Sequence, residues 1–186
     1  GEKNVTNLDF LKEITPKAKI TQIGFFTSDI FSAMKNWDEL LGVDGWILYK
    51  HSDERIQNIV RRPGLCEEKF QFYAACAMLG NTQIELIQPL YGLPFYENFL
   101  REHGDGAHHM KLVVSAEHYD QVLRYFEDNG MPVLFGAEFF GSKFYFVDSI
   151  KKMGILLEIG NGQFPKGAPE EWCNHYPECL TMKGTR

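Results

Sequence analysis

Two glutamates stand in stretches that are otherwise apolar. Glu85 lies in Gln83-Ile84-Glu85-Leu86-Ile87, and Glu158 in Leu156-Leu157-Glu158-Ile159. On a strand, successive side chains point to opposite faces, so each carboxylate faces away from its Ile and Leu neighbours. It then needs water or a polar cavity, because an unpaired buried charge is costly. One such residue reads as a solvent-facing strand position. Two at matching places in two similar stretches ask for a shared purpose. Gln22, in Gln22-Ile23-Gly24, and His109, in His109-Met110-Lys111, match in the same way. A glutamine oxygen, an imidazole nitrogen and two carboxylates make a mixed N/O donor set. That set, Gln22, Glu85, His109 and Glu158, suits a divalent metal ion such as Zn, Ni, Co, Fe or Mn. Such an ion polarises a carbonyl and acidifies the C–H beside it. A carboxylate that swings off the metal then takes the proton.

Lys111 follows His109 by two residues and should share its face. Three roles are open to it. A twisted strand would let it reach solvent. It would bind a substrate carboxylate, thioester tail or phosphate. Or its ammonium would sit between Glu85 and Glu158 and replace the metal. His108 should point the other way, as an outer-face or supporting residue. Phe26 shares the face of Gln22 and Gly24, so Phe26 and Lys111 are the substrate-binding candidates. Phe70, Phe72, Phe144 and Phe146 read mostly as core, with a few left to line an apolar pocket. Arg61-Arg62 is a solvated pair by default, in a loop placed to close over an anion. Gly104-Asp105-Gly106 precedes a strand, not a helix, which argues against a phosphate loop. Cys173, His175 and Cys179 crowd together but lack a second CxxC-like half, so a plain surface tail is the better reading.

These residues must be positioned by strands and helices. Lys19–Thr27 alternates and is rich in β-branched and aromatic residues, as a strand would be. Thr27-Ser28-Asp29 can cap a helix whose apolar positions run from Ile30 to Leu41, with Gly42 as its stop. Strands are expected over 45–50, 69–79 and 82–88. After a connector with a short helix at 96–102, the order repeats. A strand over 107–115 precedes a helix carrying Tyr119, Val122, Leu123 and Phe126, then strands near 133–137, 143–148 and 154–160. The predicted fold is α+β: two βαβββ modules forming a curled, mostly antiparallel sheet around a central cavity. Residues 1–18 read as an N-terminal leader, 19–160 as one domain (modules 19–90 and 105–160), and 161–186 as a loosely packed tail.

Composition bounds the partners. The chain has 186 residues and a net charge of −6, which argues against a nucleic-acid backbone. No apolar run approaches the roughly 20 residues of a membrane span, and no signal-peptide pattern is visible. Four cysteines are too few for a secreted disulfide framework. A cytoplasmic protein with a small-molecule substrate is expected, with no nucleic-acid or membrane partner.

From Lys19 to Gly160 the sequence resembles the vicinal-oxygen-chelate superfamily of glyoxalases, bleomycin-resistance proteins and dioxygenases. Gly104-Asp105-Gly106-Ala107-His108-His109-Met110 is similar to the hinge and first strand of the second module in the methylmalonyl-CoA epimerase-like branch. Gly154–Ile159 and Asn81–Leu86 resemble the last strands of the two modules. The resemblance implies His109, Glu85 and Glu158 as ligands, Glu158 as the mobile proton-transfer base, and Glu85 across the metal from it. Gln22 stands where most members have His; this disfavours dioxygenase chemistry, and some glyoxalases use Gln there. The implied activity is a metal-dependent epimerase, isomerase or lyase, acting on an acyl-CoA thioester or an α-hydroxy or α-keto compound. The other reading it allows is a metal-free, non-catalytic binding protein of the resistance type. Family members commonly pair modules within or between chains, so a homodimer is expected.

Overall fold

A computed structural model describes residues 7–184; residues 1–6 and 185–186 of the expected leader and tail lie outside the described residues. Ten strands form one sheet in the order β10-β2-β4-β5-β1-β6-β9-β8-β7-β3. The first module supplies β1 (Lys19–Phe26), α2 (Ile30–Leu41), β2 (Ile47–Ser52), β3 (Gln57–Val60), β4 (Gln71–Leu79) and β5 (Thr82–Tyr91). The second supplies β6 (Gly106–Val113), α4 (Tyr119–Asp128), β7 (Val133–Phe139), β8 (Ser142–Val147), α5 (Ile150–Met153) and β9 (Leu156–Gly160). Helix α1 (Asn7–Ile14) precedes them, α3 (Pro94–His103) joins the modules, and β10 (Asn174–His175) follows. The sheet is curled and open, as expected for a vicinal-oxygen-chelate fold.

The helices begin and end where their side chains require. The Asp29 carboxylate accepts from the Ser32 amide at 3.1 Å, capping α2. Gly42, at φ 68°, closes the helix in the left-handed region. Helix α2 buries Ile30, Phe31 and Met34 against Trp46, just before β2, and against Leu48 and Ala75 of the first module's strands. Helix α4 buries Tyr119, Val122 and Phe126 against Val147, Leu157 and Ile159 of the second. Each such apolar side chain contributes roughly 1.5–3 kcal/mol. The Tyr119 hydroxyl also donates to the Ile159 carbonyl at 2.6 Å, fixing α4 beside the strand that carries Glu158.

Strands β1 and β6 meet antiparallel at the centre, and each has its own module's last strand parallel on its other side. The register makes the repeat concrete. Gln22 lies opposite Gln83, and Gly24 opposite Glu85. His109 lies opposite Leu156, and Lys111 opposite Glu158. Gln22 and His109 are therefore repeat partners, as are Gly24 and Lys111, and Glu85 and Glu158.

Two short strands were not evident in the sequence, and both cover sheet edges. β3 leaves the first module and pairs with β7, where Gln57 meets Glu138 and Val60 meets Gly136. β10 pairs with β2 at the other edge. The expected loose tail is thus packed in its described part. Tyr176 donates its hydroxyl to Asp38 at 2.8 Å, and Cys179, Leu180 and Met182 join the core beneath α2. Shortening the chain to end at Gly167 is expected to lower the thermal midpoint by several degrees, since it strips this apolar cover and bares the β2 edge. A melting curve followed by circular dichroism checks it. No helix among the described residues is long and apolar enough to cross a membrane.

Candidate metal centre

Three side chains meet over the middle of the sheet. His109 Nε2 lies 3.1 Å from Glu85 Oε2 and 3.2 Å from Glu158 Oε2. One ligand atom from each residue falls within 4.8 Å of the others. This is the only such His/Cys/Asp/Glu group among the described residues. The meeting depends on a missing side chain. Gly24 stands between Glu85 on β5 and His109 on β6, and a Cβ built on it would lie 1.9 Å from His109 Cε1. The imidazole occupies the space above Gly24 and reaches across β1 toward Glu85. Gly24→Ala is therefore expected to displace His109 and to abolish high-affinity metal uptake, checked by elemental analysis of the variant beside the parent.

His108 takes the supporting role expected of it, but from the inner face and not the outer one that alternation along β6 predicts. The register between β1 and β6 shifts between Gly24–His109 and Phe25–Ala107, leaving His108 as an extra residue in a bulge. The bulge turns His108 inward. Its ring stacks on Phe26 at 3.7 Å, and its Nδ1 lies 2.9 Å from His109 Nδ1. Burial, with the neighbouring His109 adding to it, holds the His108 pKa well below its ordinary value. A neutral His108 accepts from His109 Nδ1–H and leaves His109 Nε2 aimed at the carboxylates.

The second row across the sheet runs Gln83, Gln22, Lys111, Glu158. Gln22 is buried and donates from Nε2 to Gln83 Oε1 at 2.6 Å. Lys111 Nζ sits 2.7 Å from Glu158 Oε1, its stem lying over Gly160, where a Cβ would come within 2.4 Å of Lys111 Cε. Burial alone would raise the Glu158 pKa, but Lys111 and His109 outweigh it and hold it down to about 2. Burial opposes a charge on His109, yet Glu158 and Glu85 prevail and lift it to about 9. Burial also opposes the charge on Lys111, and Glu158 and Glu85 again win, raising its pKa.

The donors fit a divalent cation. Gln22 Oε1, Glu85 Oε2, His109 Nε2 and Glu158 Oε1 are all buried without an aligned hydrogen-bond partner. The His109–glutamate contacts are close in distance but not aligned as hydrogen bonds, and Lys111 meets Glu158 as an ion pair. Separations of 3.1 and 3.2 Å match ligand atoms gathered on one ion through bonds of about 2.1 Å.

Gln22, Glu85, Lys111 and Glu158 line a cavity of about 690 Å³ between the modules. Phe26 is not among its lining residues; it packs on Tyr96, Phe99 and His108 in the core. Arg61 and Arg62 do not line it either. They brace the β3–β4 connection, Arg62 Nε donating to the Val133 carbonyl and Arg61 lying over Phe70. Cys173, His175 and Cys179 form no ligand group, and His175 instead meets Glu170 at 3.3 Å. The cavity adds residues that the sequence reading passed over: Tyr49, His51, Cys76 and Tyr96. Tyr49 and His51 alternate along Leu48-Tyr49-Lys50-His51, and that spacing alone was the available signal.

The profile of the Glyoxalase/Bleomycin resistance protein/Dioxygenase superfamily matches residues 21–146. No curated protein matches the sequence. Among solved structures, a methylmalonyl-CoA epimerase in complex with methylmalonyl-CoA and NH4+ aligns at 17% identity and a TM-score of 0.57, covering 81% of this chain and 99% of that one. Methylmalonyl-CoA epimerase from Mycobacterium tuberculosis aligns at 18% identity and TM-score 0.51, covering 82% of this chain and 89% of its own. A hypothetical protein from Bacillus halodurans aligns at 17% identity and TM-score 0.56, covering 81% and 99%. At these identities the structures speak for the fold. The profile match spans more than half of the chain, so the chain belongs to the glyoxalase/bleomycin resistance/dioxygenase superfamily.

Proposed function

We propose that this superfamily member is a metal-dependent epimerase, isomerase or lyase that moves a proton next to a carbonyl. The observation that carries the reading is the convergence of His109, Glu85 and Glu158, from both modules, within 4.8 Å, with the two glutamates on the wall of one cavity and His109 buried behind them. His109, Glu85 and Glu158 would hold the ion, with Gln22 Oε1 as the fourth donor. A divalent cation bound there supplies a Lewis acid that polarises the substrate carbonyl.

The protein's own groups then divide the work. Both oxygens of Glu158 are engaged, one by Lys111 and one by His109. A carboxylate held this firmly is a good anchor and a weak base. Glu85 lies opposite Gly24 rather than a lysine; its Oε2 shares His109 at 3.1 Å, and its Oε1 meets the weak Cys76 thiol at 3.8 Å. We therefore assign proton removal to Glu85, although the family resemblance would give it to Glu158. Glu85 takes the proton from the α-carbon, the C–H electron pair passes into the C–C bond, and the carbonyl oxygen takes the charge. Protonation of the same carbon on its opposite face epimerises it; return of the proton to the neighbouring carbon, with the hydroxyl proton passing to the former carbonyl oxygen, isomerises the hydroxyl-carbonyl pair.

The Lys111–Glu158 ion pair favours a second reading. In it Lys111 supplies the positive charge and the cavity binds without reaction. The test is elemental analysis of protein purified without chelator or affinity-column metals, beside Glu158→Gln. About one divalent ion per chain, reduced in the variant, supports the enzyme. No uptake, even after incubation with Zn, Ni, Co or Mn, moves the reading to the binding protein.

A further inference from the structure

One polar group in the cavity has no part in this chemistry. His51 lies on β2 opposite Phe72 of β4, lines the cavity, and is only 7% exposed. Its Nδ1 is buried without a hydrogen-bond partner. Burial, assisted by the Arg55 charge, holds its pKa down to about 3, so the ring is neutral. Buried polar groups are nearly always satisfied, and an exception of this kind asks for a partner the protein does not supply.

The surroundings define that partner's shape. Tyr49 stacks against His51 at 5.7 Å, and Phe72 lies at 5.1 Å. From the other module, Phe139 meets it edge-on at 4.6 Å and Phe144 lies at 6.4 Å. Both halves of the molecule therefore contribute aromatic rings around one imidazole. Such walls prefer a flat, polarisable occupant over a branched aliphatic one. The volume of about 690 Å³ is that of a drug-sized ligand and far exceeds a small acyl group. Lys111 is the only lysine or arginine among the described lining residues, and it is paired with Glu158. The cavity thus offers no free cation to a phosphate-bearing carrier.

We propose that the cavity takes a planar aromatic carbonyl compound, held by its carbonyl end at the Glu85–His109–Glu158 centre and by a distal polar group at His51. The reacting end rests on the proton-transfer reading given above; the His51 end does not.

The test is calorimetric titration of the full chain with 2-hydroxyacetophenone and 2,4′-dihydroxyacetophenone. The two differ only in a phenol remote from the carbonyl. The wild-type protein is expected to bind the phenol at least about tenfold more tightly, the scale of one buried hydrogen bond. His51→Phe is expected to bring the two affinities together. The wild-type protein also gives a readout that needs no variant: the imidazole ¹⁵N signals of His51 should move with the dihydroxy compound and not with the other. The preference should persist after EDTA treatment, so a failed metal reading leaves this measurement standing. Equal affinities in the wild-type protein, or an unchanged preference in His51→Phe, would overturn the proposal. So would tight binding of propionyl-CoA with no uptake of either acetophenone.

Discussion

Lys111→Met is expected to tighten the binding of a divalent cation at least about tenfold, while making the metal-free protein less stable. Two unit charges some 5 Å apart at an effective dielectric constant of 20 repel by about 3 kcal/mol, and a doubly charged ion feels more. A tenfold gain is therefore a conservative expectation. Methionine keeps much of the lysine volume and can lie over Gly160 as the lysine stem does. The metal-free cost comes from Glu158, which loses its 2.7 Å partner while staying buried. Removing one partner of a buried pair typically costs about 3–5 kcal/mol. Added metal should restore much of that loss, because a ligand that binds only the folded state stabilises it. Competition with a chromophoric chelator measures the affinity, and denaturant unfolding with and without metal measures the rest. If Lys111 stands in place of the ion, the variant will lose stability and gain no metal affinity, which would sink the enzyme reading.

Much of this arrangement was legible in the sequence because the fold repeats. Glu85 and Glu158 could be matched across the two halves without any structure, and the register bears out their equivalence. The same register shows where the repeat breaks. Gly24 and Lys111 are partners, yet one has no side chain and the other a long cationic one. The glycine admits His109 to Glu85 and brings no charge of its own to that carboxylate; the lysine fixes Glu158. Sequence alternation could suggest that Lys111 shared the cavity, but not which glutamate it would take. His108 shows a second limit. Strict alternation sends it outward, and a single extra residue in β6 reverses that; nothing in Ala107-His108-His109 marks the bulge. His51 was hidden for a third reason. Its strand is short, its neighbour Lys50 is polar, and its burial depends on Phe139 and Phe144 arriving from the other module. The edge strands β3 and β10 depend equally on distant partners, so local patterning did not reveal them.

Glu85→Gln and Glu158→Gln should fail in different ways. Glu85→Gln keeps an oxygen donor near His109 and leaves the Lys111–Glu158 pair intact. It is expected to retain metal while slowing deuterium exchange at the α-carbon of 2-hydroxyacetophenone by about 10²–10⁴-fold, the usual loss on removing a general base. Glu158→Gln removes the counter-charge from two groups at once. Lys111 is left largely buried with Glu85 as the other carboxylate that favours its charge, and His109 loses its 3.2 Å contact. That variant should lose metal and about 3–5 kcal/mol of stability together, so its exchange rate should recover in part at high metal concentration. The separation of the two phenotypes is the argument: one variant keeps the ion without the reaction, the other loses both until metal is supplied. If instead Glu158→Gln holds its metal and abolishes exchange, while Glu85→Gln exchanges normally, then the ion pair with Lys111 does not pin Glu158 and the base is Glu158. The asymmetry between Gly24 and Lys111 would then set the architecture of the site but not its division of labour.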